Sequence, residues 1–260
     1  MKIKYIYKKQ KAENYKLKFE FDRKSESRPA WIKVIGLPKG VNFIQVHLGK
    51  EGMNGQRIQS YKTYLPEGLF LPIDYNNKEM QKFYDRWSED YDNELQNKNE
   101  PQNLHAANFL LGKVKKYLKK GEMLDLGAGT GCITEIFAKV YNPATLVDFS
   151  CGMLSQAKKR KGLEGCAFIK EDIRKLKLNK QYDLVMSMFS FGSSSYFKSE
   201  EIPKILGIVE KHLKKKGVFA VLGHFENDIF RKKFRTLETG IYVLDKKREF
   251  YTDYFIGKTK

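Results

Sequence analysis

The sequence predicts a doubly wound α/β fold with a mostly parallel sheet, preceded by a small β-rich region. Three observations predict it. From about residue 105, short apolar runs alternate with helix-length amphipathic segments, the pattern of strands joined by crossover helices. The first of those runs, Met123 to Leu126, leads directly into the glycine-rich turn Gly127-Ala128-Gly129-Thr130-Gly131. Residues 1–78 instead hold short β-branched and aromatic runs separated by turn formers.

In the N-terminal region the strands fall at Ile3 to Tyr7, Tyr15 to Phe21, Trp31 to Ile35, Val41 to His47 and Arg57 to Tyr64. A small antiparallel sheet is expected, bounded at residue 78. Residues 79–260 form the second domain. It opens with Phe83, Tyr84, Trp87 and Tyr91 at helical spacing, interleaved with acids. Helices then follow at Ala106 to Leu118, Ile133 to Val140, Met153 to Lys161, Ile202 to Leu213 and Asn227 to Leu237. Strands alternate with them at Met123 to Leu126, Thr145 to Val147, Ala167 to Ile169, Asp183 to Met188 and Val218 to Leu222. Two final strands, Ile241 to Leu244 and Glu249 to Gly257, flank a basic turn at Lys246-Lys247-Arg248.

Composition narrows the function. No apolar run approaches the ~18 residues of a membrane span, and the N-terminus lacks a secretory signal pattern, so a cytoplasmic protein is expected. Cys132, Cys151 and Cys166 form no CxxC pair or Cys/His cluster, so neither a metal nor a disulfide framework is expected. The formal charge of +18 is carried mostly by lysines spread along the chain. It suits either solvated helix faces or a polyanion-binding surface.

The glycine turn carries the chemistry. Glycines let the backbone turn tightly and approach a ligand with no Cβ in the way. The spacing is GxGxG, and Cys132 stands where a dinucleotide fingerprint needs its third glycine. No Lys-Ser/Thr pair follows, which excludes a phosphate-cradling P-loop. Asp125, two residues before Gly127, would repel a pyrophosphate but attract a cationic amine. Asp148, 23 residues further on, stands where an acid accepts from both ribose hydroxyls. Phe149 follows it, Ser150 can cap the next helix, and Met153 can lie against a flat base. Glu171-Asp172-Ile173 ends the third strand and suits an adenine, through a carboxylate and a backbone N–H. All these acids stand at carboxyl ends of neighbouring parallel strands, where open α/β sheets bind ligands.

Asp125 to Gly131, Val147 to Ser150 with Met153-Leu154, Glu171 to Ile173, and Tyr182 to Val185 followed by Phe189 together resemble the class I S-adenosylmethionine-dependent methyltransferases. The resemblance runs from about residue 80 to the end. It is strongest to the small-molecule, quinone-biosynthesis-like branch, whose Tyr-Asp-x-x-Ala-x-x-Tyr-Asp opening is similar to Tyr84 to Asp92, with Ser88 in place of Ala. The resemblance implies a seven-stranded sheet whose last strand is antiparallel, with S-adenosyl-L-methionine as cofactor. It gives Asp125 and the Gly127, Ala128 and Gly129 backbone to the methionine moiety, Asp148 to ribose, and Asp172 with Ile173 to adenine. Phe189 would line the reactive methyl, and Tyr91 would close over the cofactor.

Methyl transfer from a sulfonium needs alignment and exclusion of water more than a dedicated catalytic group. His224, just beyond a strand end, is the single candidate general base. The exocyclic-amine motif of nucleic-acid methyltransferases is missing from Ser187 to Gly192, and so is a nucleophilic cysteine. The leading expectation is a small-molecule acceptor. One alternative is an RNA methyltransferase that docks through the basic N-terminal region. The other is a cofactor-binding interaction protein without transfer activity.

Overall fold

The computed structural model describes six strands between residues 2 and 72, positions 81, 84–85, 88–89 and 91–92, and residues 102–191, 197, 201–223, 225, 227–245 and 250–260. The chain divides into two compact units, Met1–Phe83 and Tyr84–Lys260.

In the first unit, β1 (Lys2–Tyr5) pairs antiparallel with β2 (Glu13–Lys16). Likewise β3 (Lys18–Phe21) pairs with β4 (Ile32–Ile35), and β5 (Phe43–Val46) with β6 (Leu69–Pro72). Among the described residues these strands form three two-stranded pairs, where the sequence leads one to expect a small antiparallel sheet. β6 was not anticipated, because Pro66-Glu67-Gly68 reads as a turn with no strand after it. The expected strand at Arg57 to Tyr64 lies outside the described residues.

The second unit is built on one seven-stranded sheet. Its elements run α1 (Gln102–Val114), β7 (Gly121–Leu126), α2 (Cys132–Ala138), β8 (Tyr141–Asp148), α3 (Cys151–Ala157), β9 (Ala167–Lys170), β10 (Tyr182–Met188), α4 (Ile202–His212), β11 (Leu213–Gly223), α5 (Asn227–Lys233), β12 (Phe234–Asp245) and β13 (Phe250–Thr259). Across the sheet the order is β9-β8-β7-β10-β11-β13-β12. The first five are parallel, and β13 lies antiparallel between β11 and β12. The chain winds outward from β7 through β8 to β9, then returns to place β10 on the other side. The order therefore reverses between β7 and β10, the crevice where doubly wound sheets bind ligands.

Period-2 alternation sends neighbouring side chains to opposite faces. Met123, Phe137, Tyr141, Leu146 and Ala220 pack on the face covered by α1 and α2. Leu124, Leu126, Val147, Phe219 and the helix residues Ile205, Val209 and Phe230 fill the other. Strands buried on both faces are expected to read as unbroken apolar runs, as Val218 to Leu222 does.

The last helix corrects the sequence reading. It ends at Lys233, and 234–237 belongs to β12 instead. Phe234 is completely buried and pairs with Thr259, so burial and ladder hydrogen bonds outweigh local helix preference. Helix α1 is displaced toward the N-terminus, starting at Gln102 and ending at Val114. No described helix is long and apolar enough to cross a membrane.

Candidate active site

The turn after β7 is held from below. The N–H groups of Gly127 and Ala128 both donate to Val147 O on β8, at 2.8 and 3.1 Å. Gly127 adopts φ 77°, and a Cβ there would fall 2.1 Å from Ser190 Oγ. Ser190 follows Phe189 beyond β10, and its hydroxyl donates to Gly127 O at 3.2 Å. Phe189 itself has φ 62°, a costly conformation for an aromatic residue that clusters at functional sites. Its N–H donates to Leu222 O at 2.7 Å. The switch point is therefore a tightly cross-linked meeting of the ends of β7, β10 and β11.

Two acids flank this turn. Asp125 shares the face of Met123 and points beneath α2, where Thr134 Oγ1 donates to it at 2.5 Å. It is 2% exposed. Burial, with a smaller push from Asp148, raises its carboxyl to about 7 against the pull of Thr134. Asp148 accepts from Gly129 N at 2.8 Å and from Ser150 N at 2.8 Å. Burial raises it to about 6, with Asp85 adding repulsion against those two N–H donors. Neither acid is ion-paired among the described residues. Each is a negative charge held in low dielectric by neutral donors, which is costly until a cation arrives.

The third acid differs. Asp172 caps the short 3-10 turn Ile173–Lys175 through Arg174 N. Its two oxygens also accept from Arg174 Nε at 2.9 and 3.1 Å and from Nη2 at 2.6 Å. Burial opposes ionisation, but Arg174 wins and holds the carboxyl below its ordinary value. Those contacts occupy most of its acceptor capacity. Glu171 beside it accepts Asp172 N at 2.8 Å. Ile173 is buried against Leu126 and Val147. Met153 is also buried, under a helix start that Ser150 caps by accepting from Met153 N at 3.1 Å.

The segment from Tyr84 to Asp92 supplies residues that the sequence reading did not assign to the site. Asp85 Oδ1 accepts from Ser150 Oγ at 2.6 Å and from Gly152 N at 2.9 Å. Asp92 accepts from Thr130 Oγ1 at 2.5 Å and pairs with Arg160. Arg160 also donates to Thr130 O at 2.7 Å and to Glu135 at 3.0 Å. One acid thus latches the segment beyond β8, and the other latches it to the glycine turn. Buried Ser88 donates to Asp85 O at 2.9 Å. A Cβ at Gly152 would meet Ser88 Oγ at 2.6 Å and Asp85 O at 2.7 Å, so only glycine lets the two backbones approach this closely. The ring of Tyr84 stands 5.8 Å from Phe149 and 6.5 Å from Tyr91. The available signal was the repeated Tyr-Asp at 84–85 and 91–92: the sequence reading used its tyrosine for the site, whereas its aspartates make the anchors.

Phe83, Trp87, Gly192 to Tyr196 and the candidate base His224 lie outside the described residues. Among the described residues no His/Cys/Asp/Glu cluster suits a metal. His212 is structural: Nε2 accepts Leu178 N–H at 3.0 Å, so Nδ1 carries the proton toward Ile208 O at 2.8 Å.

Comparison with known proteins agrees with this geometry. Residues 118–246 match a family model described as a methyltransferase domain. The malonyl-[acyl-carrier protein] O-methyltransferase of Bacillus cytotoxicus is 31% identical over 137 residues, 51% of this chain and 46% of that protein. The dTDP-3-amino-3,4,6-trideoxy-alpha-D-glucopyranose N,N-dimethyltransferase of Streptomyces venezuelae is 33% identical over 100 residues, 38% of this chain and 40% of that protein. This chain spans about half the length, or less, of the curated relatives it matches. Among solved structures, the N-methyltransferase NodS of Bradyrhizobium japonicum superposes with TM-score 0.59 at 12% identity, over 69% of this chain and 97% of that one. Strand order, switch-point turn and family match agree: residues 118–246 match a methyltransferase domain, and the second unit has the Rossmann-like fold of class I methyltransferases.

Proposed function

We propose that the chain is a cytoplasmic enzyme that transfers the methyl group of S-adenosyl-L-methionine to a small-molecule acceptor. The observation that carries this reading is the pair Asp125 and Asp148, buried beside the glycine-rich turn and raised in pKa by that burial. A ligand bearing an ammonium and a sulfonium offsets that cost, while one bearing a pyrophosphate would increase it. The fit extends to space: a Cβ at Gly129 would meet nothing within 4 Å, so this turn is open on its outer side.

In this reading Asp125 and the Gly127 to Gly129 turn hold the methionine moiety, and Asp148 accepts from ribose. Arg174-bound Asp172 orders the turn that presents Ile173 to adenine, and Glu171 offers an acceptor to its amine. Phe189 borders the reactive centre, and Tyr84 to Asp92, with Tyr91, excludes water from above. The cofactor, when bound, supplies an activated methyl carbon. The protein aligns the acceptor in line with it. Two relatives are described by their names as acting on a carrier-bound malonyl group and on an amino sugar. A carboxylate acceptor of the first kind is already a nucleophile and needs no general base.

Titration calorimetry with S-adenosylhomocysteine tests the binding half, and a flat titration defeats it. Incubation with methyl-labelled cofactor and separated metabolite, RNA and protein fractions tests the other half. Label in the metabolite fraction is expected; label confined to RNA or protein overturns the small-molecule acceptor.

A further inference from the structure

The edge of the sheet opposite this site is unusually basic. Four segments converge there because parallel strands all begin at one edge and antiparallel β13 ends at it. They are residues 115–120 before β7, 177–180 before β10, 211–216 entering β11 and 258–260 closing β13. Together these nineteen residues contain twelve lysines and no Asp or Glu, against 49 Lys and Arg among 260 residues overall. Lysine-rich composition therefore does not account for the cluster.

Contacts tie the segments to one another. Thr259 Oγ1 donates to Lys215 O at 3.3 Å, and Gln181 Nε2 to Lys211 O at 3.1 Å. Lys180 reaches Glu122 at 3.0 Å and Lys214 reaches Asp183 at 2.9 Å. Glu122 and Asp183 neutralise only those two lysines, and Lys116 reaches Glu238 at 3.5 Å. Lys119, Lys120, Lys215 and Lys216 are exposed, and no ion pair among the described residues uses them. Four adjacent strands at normal spacing make this a ridge roughly 15 Å wide.

We infer that this ridge docks on the phosphate backbone of double-stranded RNA, independently of the methyl-transfer site. The charges are point-like ammonium groups without arginine forks, which suits backbone contact and not base reading. The exposed large apolar side chains among the described residues, Ile241 and Val243, lie toward the far end of β12, so the ridge has nothing to insert into a membrane. An acidic carrier delivering an acceptor would need to face the carboxyl ends of the strands, roughly 20 Å away across β10. An A-form duplex is recognised by shape and phosphate contacts, and a compact lysine ridge can answer closely spaced phosphates.

The test uses the full chain, fluorescence anisotropy and a 20-base-pair RNA duplex of arbitrary sequence, from 50 to 300 mM salt. Log affinity is expected to fall linearly with log salt. Replacing Lys119, Lys120, Lys215 and Lys216 together by Gln should cost about tenfold or more at 100 mM salt and flatten the salt slope by about 3. Neutralising exposed Lys139, Lys159, Lys161 and Lys204 serves as the charge-matched control and should change affinity less than threefold. Unchanged circular dichroism and S-adenosylhomocysteine affinity in both variants confirm intact folding. The inference is overturned by no binding, by equal loss in the control, or by unchanged binding in the ridge variant. It is equally overturned if DNA duplex, polyglutamate or anionic vesicles bind as tightly as the RNA.

Discussion

At the carboxyl edge of the sheet, Asp125 and Asp148 are buried among neutral donors, and both titrate well above an ordinary aspartate. At the amino edge, Asp183 lies beside the Lys214 ammonium and Glu122 N–H. Burial there pushes upward, but those partners win and the carboxyl is lowered. Glu238, clasped by Lys113, Tyr117 and Tyr254 where α1 meets β12 and β13, is driven down to about 2 despite its own burial. The same side-chain chemistry thus stabilises the fold at one edge and stores unfavourable charge at the other. Uncompensated buried charge in a folded domain is a binding signature, whereas compensated charge is scaffolding.

Asparagine substitution separates the two edges most sharply. Asp125→Asn removes a charge that the folded protein accommodates poorly, so Tm should hold or rise. S-adenosylhomocysteine affinity should fall ten- to hundred-fold, the loss of one charge-assisted hydrogen bond of about 1.5–3 kcal/mol. Asp183→Asn should do the reverse: a loss of about 1 kcal/mol in stability with affinity unchanged. Calorimetry and thermal melts on both variants decide it, and equal affinity loss would erase the distinction.

A pH series sharpens the comparison next. Because Asp125 and Asp148 bind protons more tightly folded than unfolded, the cofactor-free protein should lose stability as pH rises from about 4 to 7. The lowered acids Asp183 and Glu238 act oppositely: their contribution is complete above the unfolded carboxylate pKa and is lost as pH falls through the folded value. Cofactor affinity should tighten between pH 5.5 and 7.5, with proton release seen as a calorimetric enthalpy that depends on the buffer. Asp125→Asn should flatten much of that tightening.

The smaller effects concern backbone approach and an orphan hydroxyl. Gly152→Ala forces a methyl against Ser88 and Asp85, so affinity should fall several-fold. Adding Ser88→Ala removes the nearest clashing atom and should recover part of it, whereas no recovery would mean the segment is not latched there. Among the described residues Thr252 Oγ1 is buried with no hydrogen-bond partner, on β13 next to the pair formed by Gly223 and Asp253. Thr252→Val should therefore raise stability by about 1 kcal/mol, read by chemical denaturation.

The acids and the turn were legible from local sequence, because glycine geometry and strand-end position are encoded within a few residues. Ser150 likewise declares itself as a cap. What stayed hidden was long-range. Asp85 and Ser150 are 65 residues apart, and Arg160 and Asp92 are 68 apart. No periodicity reports such a pairing. The sequence places Asp172 near adenine by its position at a strand end, whereas Arg174, two residues later, donates to both of its oxygens.

The sequence by itself determined the alternation of strands and helices, the tight turn after β7 and the order of the acids along the chain. These depend on side-chain period and backbone freedom, which are local. Only the tertiary structure decided which acids are paired with a cation and which, among the described residues, have neutral donors alone, and which lysines share an edge. Charge compensation depends on distance in space and on the dielectric around each group, and both exist only once the sheet is assembled.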